Sequence, residues 1–429
     1  MELDPQEFQK RRQEHQQQRE QQRQQHRRLI LRLVIAGVAL IACGAVILTV
    51  MFGSEDADTL QESTASTETA ATTQTVDPTA PSTTPPDSVI HLAFGGDLNV
   101  TQKVVDTAEG DHDYTQALLD VTPVLAQADV TVLNFEGCFF GTPYGSDRSA
   151  PPALATALKS SGVDMLQLAN SYSIYKGMEG LSSSVQTVRD AGMIPLGVYA
   201  NAAEAEEGTG YTIYRSRGIE IAFVSFTKGM NGMALPAGNE NCVNLLYSDY
   251  ASDYQKINEQ GILDILDAVA EEEPDIVVAL LHWGSEYNNT ISKSQQNICT
   301  LLQENGVDAI IGTHSHFVQQ MTLDPETGKF VAYSLGDFMG DAPRAGAEYS
   351  VILDLEVTKK GDTGVTTITN FSYTPIYNVQ ETGKPLRLLR IHEAIAAYES
   401  GYIDRVSETT YEAMKHALER IDARIKGES

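Results

Sequence analysis

From Val89 onward, short apolar runs ending in polar or glycine-containing turns alternate with amphipathic runs of helical period, and this alternation restricts the fold more than any other feature. "VIHLAFGGD", "DVTVLNFEG", "VDMLQLANS", "IEIAFVSF", "DIVVALLHWG" and "VDAIIGTHSH" read as strands. "LATALKSSG", "GLSSSVQTVRDAG", "QGILDILDAVAEEE" and "KSQQNICTLLQENG" read as the helices between them, several closed by Gly or followed by Pro. Strands that alternate with helices predict an α/β domain whose sheets are buried on both faces. After Lys329 the pattern turns strand-rich ("FVAYSLG", "YSVILDLEV", "GVTTITNFSYTPIY"), which predicts antiparallel strands completing a second sheet. "RLLRIHEAIAAYESG" and "SETTYEAMKHALERIDARI" read as closing helices.

What precedes this domain has a different composition. Residues 1–28 are rich in Gln, Glu and Arg without apolar periodicity and read as a solvated tail. Residues 29–53 contain an uncharged stretch from Leu33 to Gly53, the length of roughly 20 residues that spans a bilayer. A cleaved signal peptide is the competing reading, but its apolar region normally runs about 7–15 residues. Arg23, Arg27, Arg28 and Arg32 crowd the N-terminal flank, and the other flank, "GSEDAD", is acidic. The positive-inside rule then predicts a single-pass anchor in the cell membrane, with a cytoplasmic N-terminus and an extracellular main domain. Residues 54–88, rich in Thr, Ser and Pro, read as a tether, which leaves residues 89–429 as the extracytoplasmic domain.

The net charge of −28 excludes loose electrostatic capture of nucleic acid, whose phosphates need a basic face. It also works against capture of a polyanionic polymer, for which Lys176 or Arg344, or a bound metal, would have to supply local attraction. Of the four cysteines, Cys43 lies in the apolar span; whether two of Cys138, Cys242 and Cys299 pair is open.

The candidate chemistry lies where an α/β protein keeps it, at the C-terminal ends of strands. Asp97, Glu136, Asn170 and His282 each close a strand-like run, and His314 and His316 follow a fifth. Carboxylate and imidazole form the donor set of a divalent ion such as Zn, Mn or Fe. Alternation along an extended segment would put the His314 and His316 rings on one side. Asp97, Glu136, His282, His314 and His316 are therefore the candidate metal ligands. Glu286 is a candidate to orient His282, or else faces water, and Trp283 is expected as an aromatic wall beside His282.

On the motifs "FGGDLN", "LNFEG", "LLHWGSEY", "DAIIGTHSHFVQQM" and "YSLGDF", in that order from Val89 to Met339, the chain resembles the bacterial CapA-type capsule and poly-γ-glutamate biosynthesis proteins. Their domain is related to calcineurin-like metallophosphoesterases. The resemblance implies a metallophosphoesterase-like sandwich of two β-sheets flanked by helices. It also implies work on a capsular or envelope polymer alongside membrane-bound synthase subunits. One stretch departs from the family pattern. Where members usually carry Ala-Asn-Asn-His, then Asp and Gly, this chain has "LANSYSIYKG". Ser171 stands for the ligating second Asn, Tyr172 for the His and Tyr175 for the Asp; Asp337 stands where an Asn is usual. Ser ligates poorly, and Tyr, with a pKa of about 10, is a weak proton donor at neutral pH. Asn170, as a substitute ligand, and Tyr172 join Glu286 as the candidate catalytic residues. The resemblance leaves three readings: a polymer-assembly protein with a metal site, a phosphoesterase-like metallohydrolase, or a non-catalytic partner of polymer or synthase.

Overall fold

In the computed structural model, residues 85–428 are described apart from 111, 382 and 403–405. The tail at 1–28, the apolar span at 29–53 and all but the last residues of the tether lie outside them. Among the described residues, no helix is long and apolar enough to cross a membrane.

Thirteen strands build two mixed sheets among these residues. The first contains β1 (Ser88–Asn99), β2 (Val130–Glu136), β3 (Met165–Gln167) and β4 (Ile194–Leu196) as parallel neighbours. Three antiparallel strands extend it beyond β1: β11 (Tyr349–Lys359), β12 (Thr366–Val379) and β13 (Arg387–Arg390). The second sheet is centred on parallel β6 (Ile219–Thr227), β7 (Ile276–His282), β8 (Ala309–Thr313) and β10 (Phe330–Ala332). Antiparallel β5 (Tyr211–Ser216) and β9 (Met321–Leu323) close its edges. The α/β class and the two helix-flanked sheets agree with the sequence. The placing of the late strands differs: β11 to β13 complete the first sheet, not the second, because β11 takes the edge of β1 left free by the β1–β2 crossover.

The interior follows from strand alternation. Ile90, Leu92, Phe94, Val130 and Val132 of the first sheet meet Val278, Leu280, Ala309 and Ile311 of the second in one buried layer. The opposite face of the first sheet, through Leu133, Phe135 and Leu166, packs on helices Pro152–Ser160 and Gly177–Asp190. The outer face of the second, through Ala279, Leu281 and Ile310, packs on helices Glu259–Glu271 and Lys293–Glu304. The latter helix starts at a capping box, with Ser292 and Gln295 satisfying each other's backbone N–H groups. Cys138, Cys242 and Cys299 are buried and unpaired.

One irregularity sets up the site. Between Phe94 and Asp97 the β1–β2 register slips by a residue. A strictly alternating β1 would send Gly96 and Leu98 inward; the bulge at Gly95–Gly96 sends Asp97 and Asn99 inward instead, and Leu98 joins the outer layer. At the bulge the chain closes on the loop before β11, where Asp97 donates its backbone N–H to Gly336 O at 2.9 Å. A Cβ on Gly96 would lie 1.7 Å from that same carbonyl oxygen. Gly96→Ala is therefore expected to destabilise the protein by about 3 kcal/mol or more, read as a lowered urea midpoint. An unchanged midpoint would mean that the two backbones separate without cost.

Candidate functional site

The inward alternation that carries Val130 and Val132 along β2 continues to Asn134 and Glu136, and along β7 it continues from Leu280 to His282. Apolar inner positions thus become polar at one end of the sandwich. Asp97, Glu136, His282, His314 and His316 are all buried there. Their donor atoms fall into linked groups: Glu136 with His282 and His314, Asp97 with His316 and Asp337, and Glu286 with His314 and His316. Within each group these atoms lie within 4.8 Å of one another.

Each buried carboxylate is fixed by neighbours. Asn134 donates its side-chain N–H to Asp97 Oδ1 at 2.6 Å, and the His314 backbone N–H donates to Asp97 Oδ2 at 3.0 Å. His282 Nε2 meets Glu136 Oε1 at 2.7 Å, while its Nδ1 lies 3.3 Å from Thr227 Oγ1. Burial alone would raise the Glu136 pKa, but the His282 contact holds it below the usual carboxylate range. His316 Nδ1 meets Asp337 Oδ1 at 2.8 Å, and Asn99 donates to the same oxygen at 2.8 Å. Burial pushes the Asp337 carboxyl up to about 7, against the pull of His316. Burial works against a charged His316 too, yet the Asp337 carboxylate raises it well above the ordinary histidine value.

His314 stands apart. Burial, reinforced by His282, Lys228 and His316, drives its pKa well below the ordinary value, so it is a neutral imidazole. Its ring lies 4.3 Å from that of His282, and its buried Nδ1 has no hydrogen-bond partner among the described residues. A buried lone pair or N–H without a partner is costly unless something absent from the chain satisfies it. A neutral imidazole beside a carboxylate and a second imidazole is a donor set for a divalent ion, and the residues fit one.

The two late histidines reach the site by a route that simple alternation does not describe. β8 ends at Thr313, and both His314 (φ 86°) and His316 (φ 59°) are left-handed. Such backbone costs on the order of 1–3 kcal/mol per residue and persists only where its surroundings hold it. At His314 the Asp97 carboxylate does so by accepting the backbone N–H.

The remaining candidates are placed as follows. Asn170 is buried and fully engaged: its Nδ2 donates to Phe135 O at 2.7 Å and Asn134 Oδ1 at 3.1 Å, and its Oδ1 accepts the Tyr172 N–H at 2.9 Å. It braces the loop. Ser171 is buried beside it. The Tyr172 hydroxyl accepts from Arg148 at 2.8 Å, and burial raises its pKa. Glu286 is exposed and sits with His314 and His316, not with His282. Trp283 turns to the opposite face, as the residue after an inward His282 must. It is stacked on Tyr333 and donates to Tyr333 O at 3.0 Å, so it is no wall of the site. Tyr287 takes the aromatic position, with its ring 4.9 Å from that of His316. Asn99, Asn134 and Arg148 belong to the cluster although no sequence signal was read for them. The two asparagines carry one: each lies two residues from a predicted ligand on the same strand and thus on the same face.

The sequence model of the family described as bacterial capsule synthesis protein PGA_cap matches residues 91–342, a span that holds every residue of this cluster. The chain belongs to that family. Among its relatives, the PGA biosynthesis protein CapA of Bacillus subtilis (strain 168) is 24% identical over 310 residues, covering 70% of this chain and 75% of that one. The capsule biosynthesis protein CapA of Bacillus anthracis is 26% identical over 197 residues, covering 45% of this chain and 44% of its own length. A probable polyglutamine synthesis accessory protein of Mycobacterium tuberculosis is 22% identical over 305 residues, covering 69% and 73%. Among solved structures, a calcineurin-like phosphoesterase of Bacillus subtilis overlays with TM-score 0.40 and 13% identity, covering 80% of this chain and 99% of that one. A putative 5′-nucleotidase from Staphylococcus aureus overlays with TM-score 0.44 and 11% identity, covering 77% and 58%.

In metal-free protein the His316 imidazole is expected to stay protonated well above pH 6.5, and Asp337→Asn to lower its titration midpoint, followed by NMR of the ring resonances. A midpoint unmoved by the substitution would assign the effect to Asp97, whose Oδ2 lies 3.4 Å from the same nitrogen.

Proposed function

We propose that this capsule-synthesis family member is a membrane-anchored protein whose extracytoplasmic domain holds a divalent metal, Mn, Zn or Fe, and handles a bond in an envelope or capsular polymer. The single observation that carries the metal site is the buried, unpartnered Nδ1 of a neutral His314 packed against the His282–Glu136 pair. Asp97, Glu136, His282, His314 and His316 are the ligands in this reading, joined by Asp337. A bound divalent ion would supply Lewis acidity toward a carbonyl or phosphoryl oxygen and a more acidic bound water.

The chain's own residues do the rest. Thr227 fixes the His282 ring from behind, and Asn134 fixes Asp97, so the donors are held before anything binds. Tyr172 keeps its proton at neutral pH and is occupied by Arg148, which leaves proton exchange with water to Glu286, the exposed carboxylate beside His314 and His316. A second reading, a non-catalytic partner of polymer or synthase, is favoured by that same loop, where Ser171 and Tyr172 offer neither a strong ligand nor a proton donor near neutrality. Polymer synthesis in the two Bacillus relatives is what their names state. For this chain the polymer and the synthase contact belong to the proposal.

His282→Ala and His314→Ala are each expected to weaken metal affinity by at least about tenfold, measured by elemental analysis after dialysis against a metal buffer. Unchanged stoichiometry and affinity in both variants would make the imidazoles structural. Turnover of a model phosphoester by the metal-loaded protein, abolished by chelator, would separate a metallohydrolase from a non-catalytic partner. Deletion of residues 1–53 is expected to move the protein from the membrane to the soluble fraction; continued sedimentation with membranes would refute the anchor.

A further inference from the structure

The chain holds 58 acidic and 30 basic residues, so a cation has many carboxylates available to it. Lys159, Lys176, Lys329 and Lys359 each have one at 2.8–3.1 Å. Two half-buried cations beside the cluster have none among the described residues. Arg148, on the loop after β2, donates only to neutral oxygens: Tyr172 Oη at 2.8 Å and Asn99 Oδ1 at 3.3 Å. Its guanidinium lies 4.4 Å from the centre of the Tyr172 ring, so two bonds and a stack fix its plane. Of its five N–H donors, three meet no acceptor among the described residues. The charge is close enough to Glu136 to help keep that carboxylate ionised. Lys228 follows the last residue of β6 on the other sheet. It donates to Gly284 O at 2.8 Å, lies 4.8 Å from the Tyr254 ring centre, and its charge is felt by His314.

The two cations therefore come from different sheets and act on different members of the cluster, Arg148 on Glu136 and Lys228 on His314. Each cation feels a carboxylate only at longer range, Glu136 for Arg148 and Glu286 for Lys228. A half-buried cation without a direct ion pair gains from a ligand that supplies the charge. A planar fork with spare donors matches the two oxygens of a carboxylate or phosphate group. We infer that Arg148 and Lys228 are the oxyanion-binding half of this site, Arg148 as a clamp whose plane is set by Tyr172 and Asn99, and Lys228 as a point charge from the other sheet.

This gives the exchanged loop position a role. Tyr172 positions Arg148 and does not transfer a proton. It also gives so acidic a protein a local attraction for an anionic group, with the exposed Arg344 over the Tyr287 ring, 5.3 Å from its centre, as a further cation near His316. The inference rests on the metal reading for what lies between the two cations, but the cations are observed independently of it.

The test titrates inorganic phosphate, and separately glutarate, into the full-length protein by calorimetry, once with Mn²⁺ and once metal-free. At least one anion is expected to bind, phosphate alone marking a phosphoryl substrate and glutarate alone a carboxylate one. Arg148→Ala should weaken that binding by about tenfold to a hundredfold, Arg148→Lys by less, and Tyr172→Phe, which keeps the stack but loses the hydroxyl, by a few-fold. Metal content and thermal midpoint should stay at their original values in Arg148→Lys and Tyr172→Phe, which separates a lost contact from a lost fold. Lys228→Met should weaken the same anion. Undiminished affinity in Arg148→Ala, or no binding of either anion in any state, would overturn the proposal. If no metal binds at all, the metal reading fails alone, and Arg148-dependent anion binding in the metal-free protein still decides this one.

Discussion

The approach of two backbones at Gly96 and Gly336 underlies everything at this end of the sandwich. β1 cannot come that near the loop before β11 with any side chain at residue 96, because the carbonyl oxygen occupies the space a Cβ would need. The same contact absorbs the extra residue of the bulge, and the bulge turns Asp97 and Asn99 from the helix-covered face to the face between the sheets. From Asp97 the dependence runs outward. Its carboxylate holds the left-handed backbone of His314 and accepts from Asn134, and beyond it Asn99 and Asp337 orient His316. A hydrogen-bonded loop at Gly336–Met339 thus places a carboxylate from the far part of the chain beside the first strand.

Electrostatics then decides what the site can hold. Buried charges are tolerated only in pairs with satisfied hydrogen bonds, and the cluster obeys this twice, in Glu136 with His282 and in Asp337 with His316. His314 has no such partner and stays neutral, which makes it the donor left over. Arg148 and Lys228 are half-buried cations near the cluster with no direct carboxylate contact among the described residues. In the proposed reading, the unmatched imidazole would serve a positive ion and the two cations a negative group, the combination that metal-assisted bond handling requires.

The family's usual loop sequence is altered here in a way that the structure makes coherent. Asn170 still ties the loop to β2 through Phe135 O and Asn134. Tyr172, instead of facing the cluster as an acid, meets Arg148 edge-on through its hydroxyl and face-on through its ring. The neighbouring Tyr175 is partly exposed and packs against Tyr172 at 5.5 Å, which leaves it outside the cluster.

Strand and helix alternation was legible because apolar periodicity is local, and it gave the α/β class, the helix layers and the five strand-end ligand candidates without any knowledge of contacts. Asn99 and Asn134 were legible in principle through the two-residue period and went unread. Three things were decided only by the tertiary structure. The edge taken by β11 to β13 depends on which side of β1 is free, a property of the assembled sheet. The turning of Trp283 away from the site, and of His314 and His316 into it, depends on where β7 and β8 stop and on a carboxylate from β1 that captures a backbone N–H. The roles of Arg148 and Lys228 depend on which cations find a carboxylate in three dimensions. The sequence states how many charges of each sign there are; only the fold determines which of them remain unmatched.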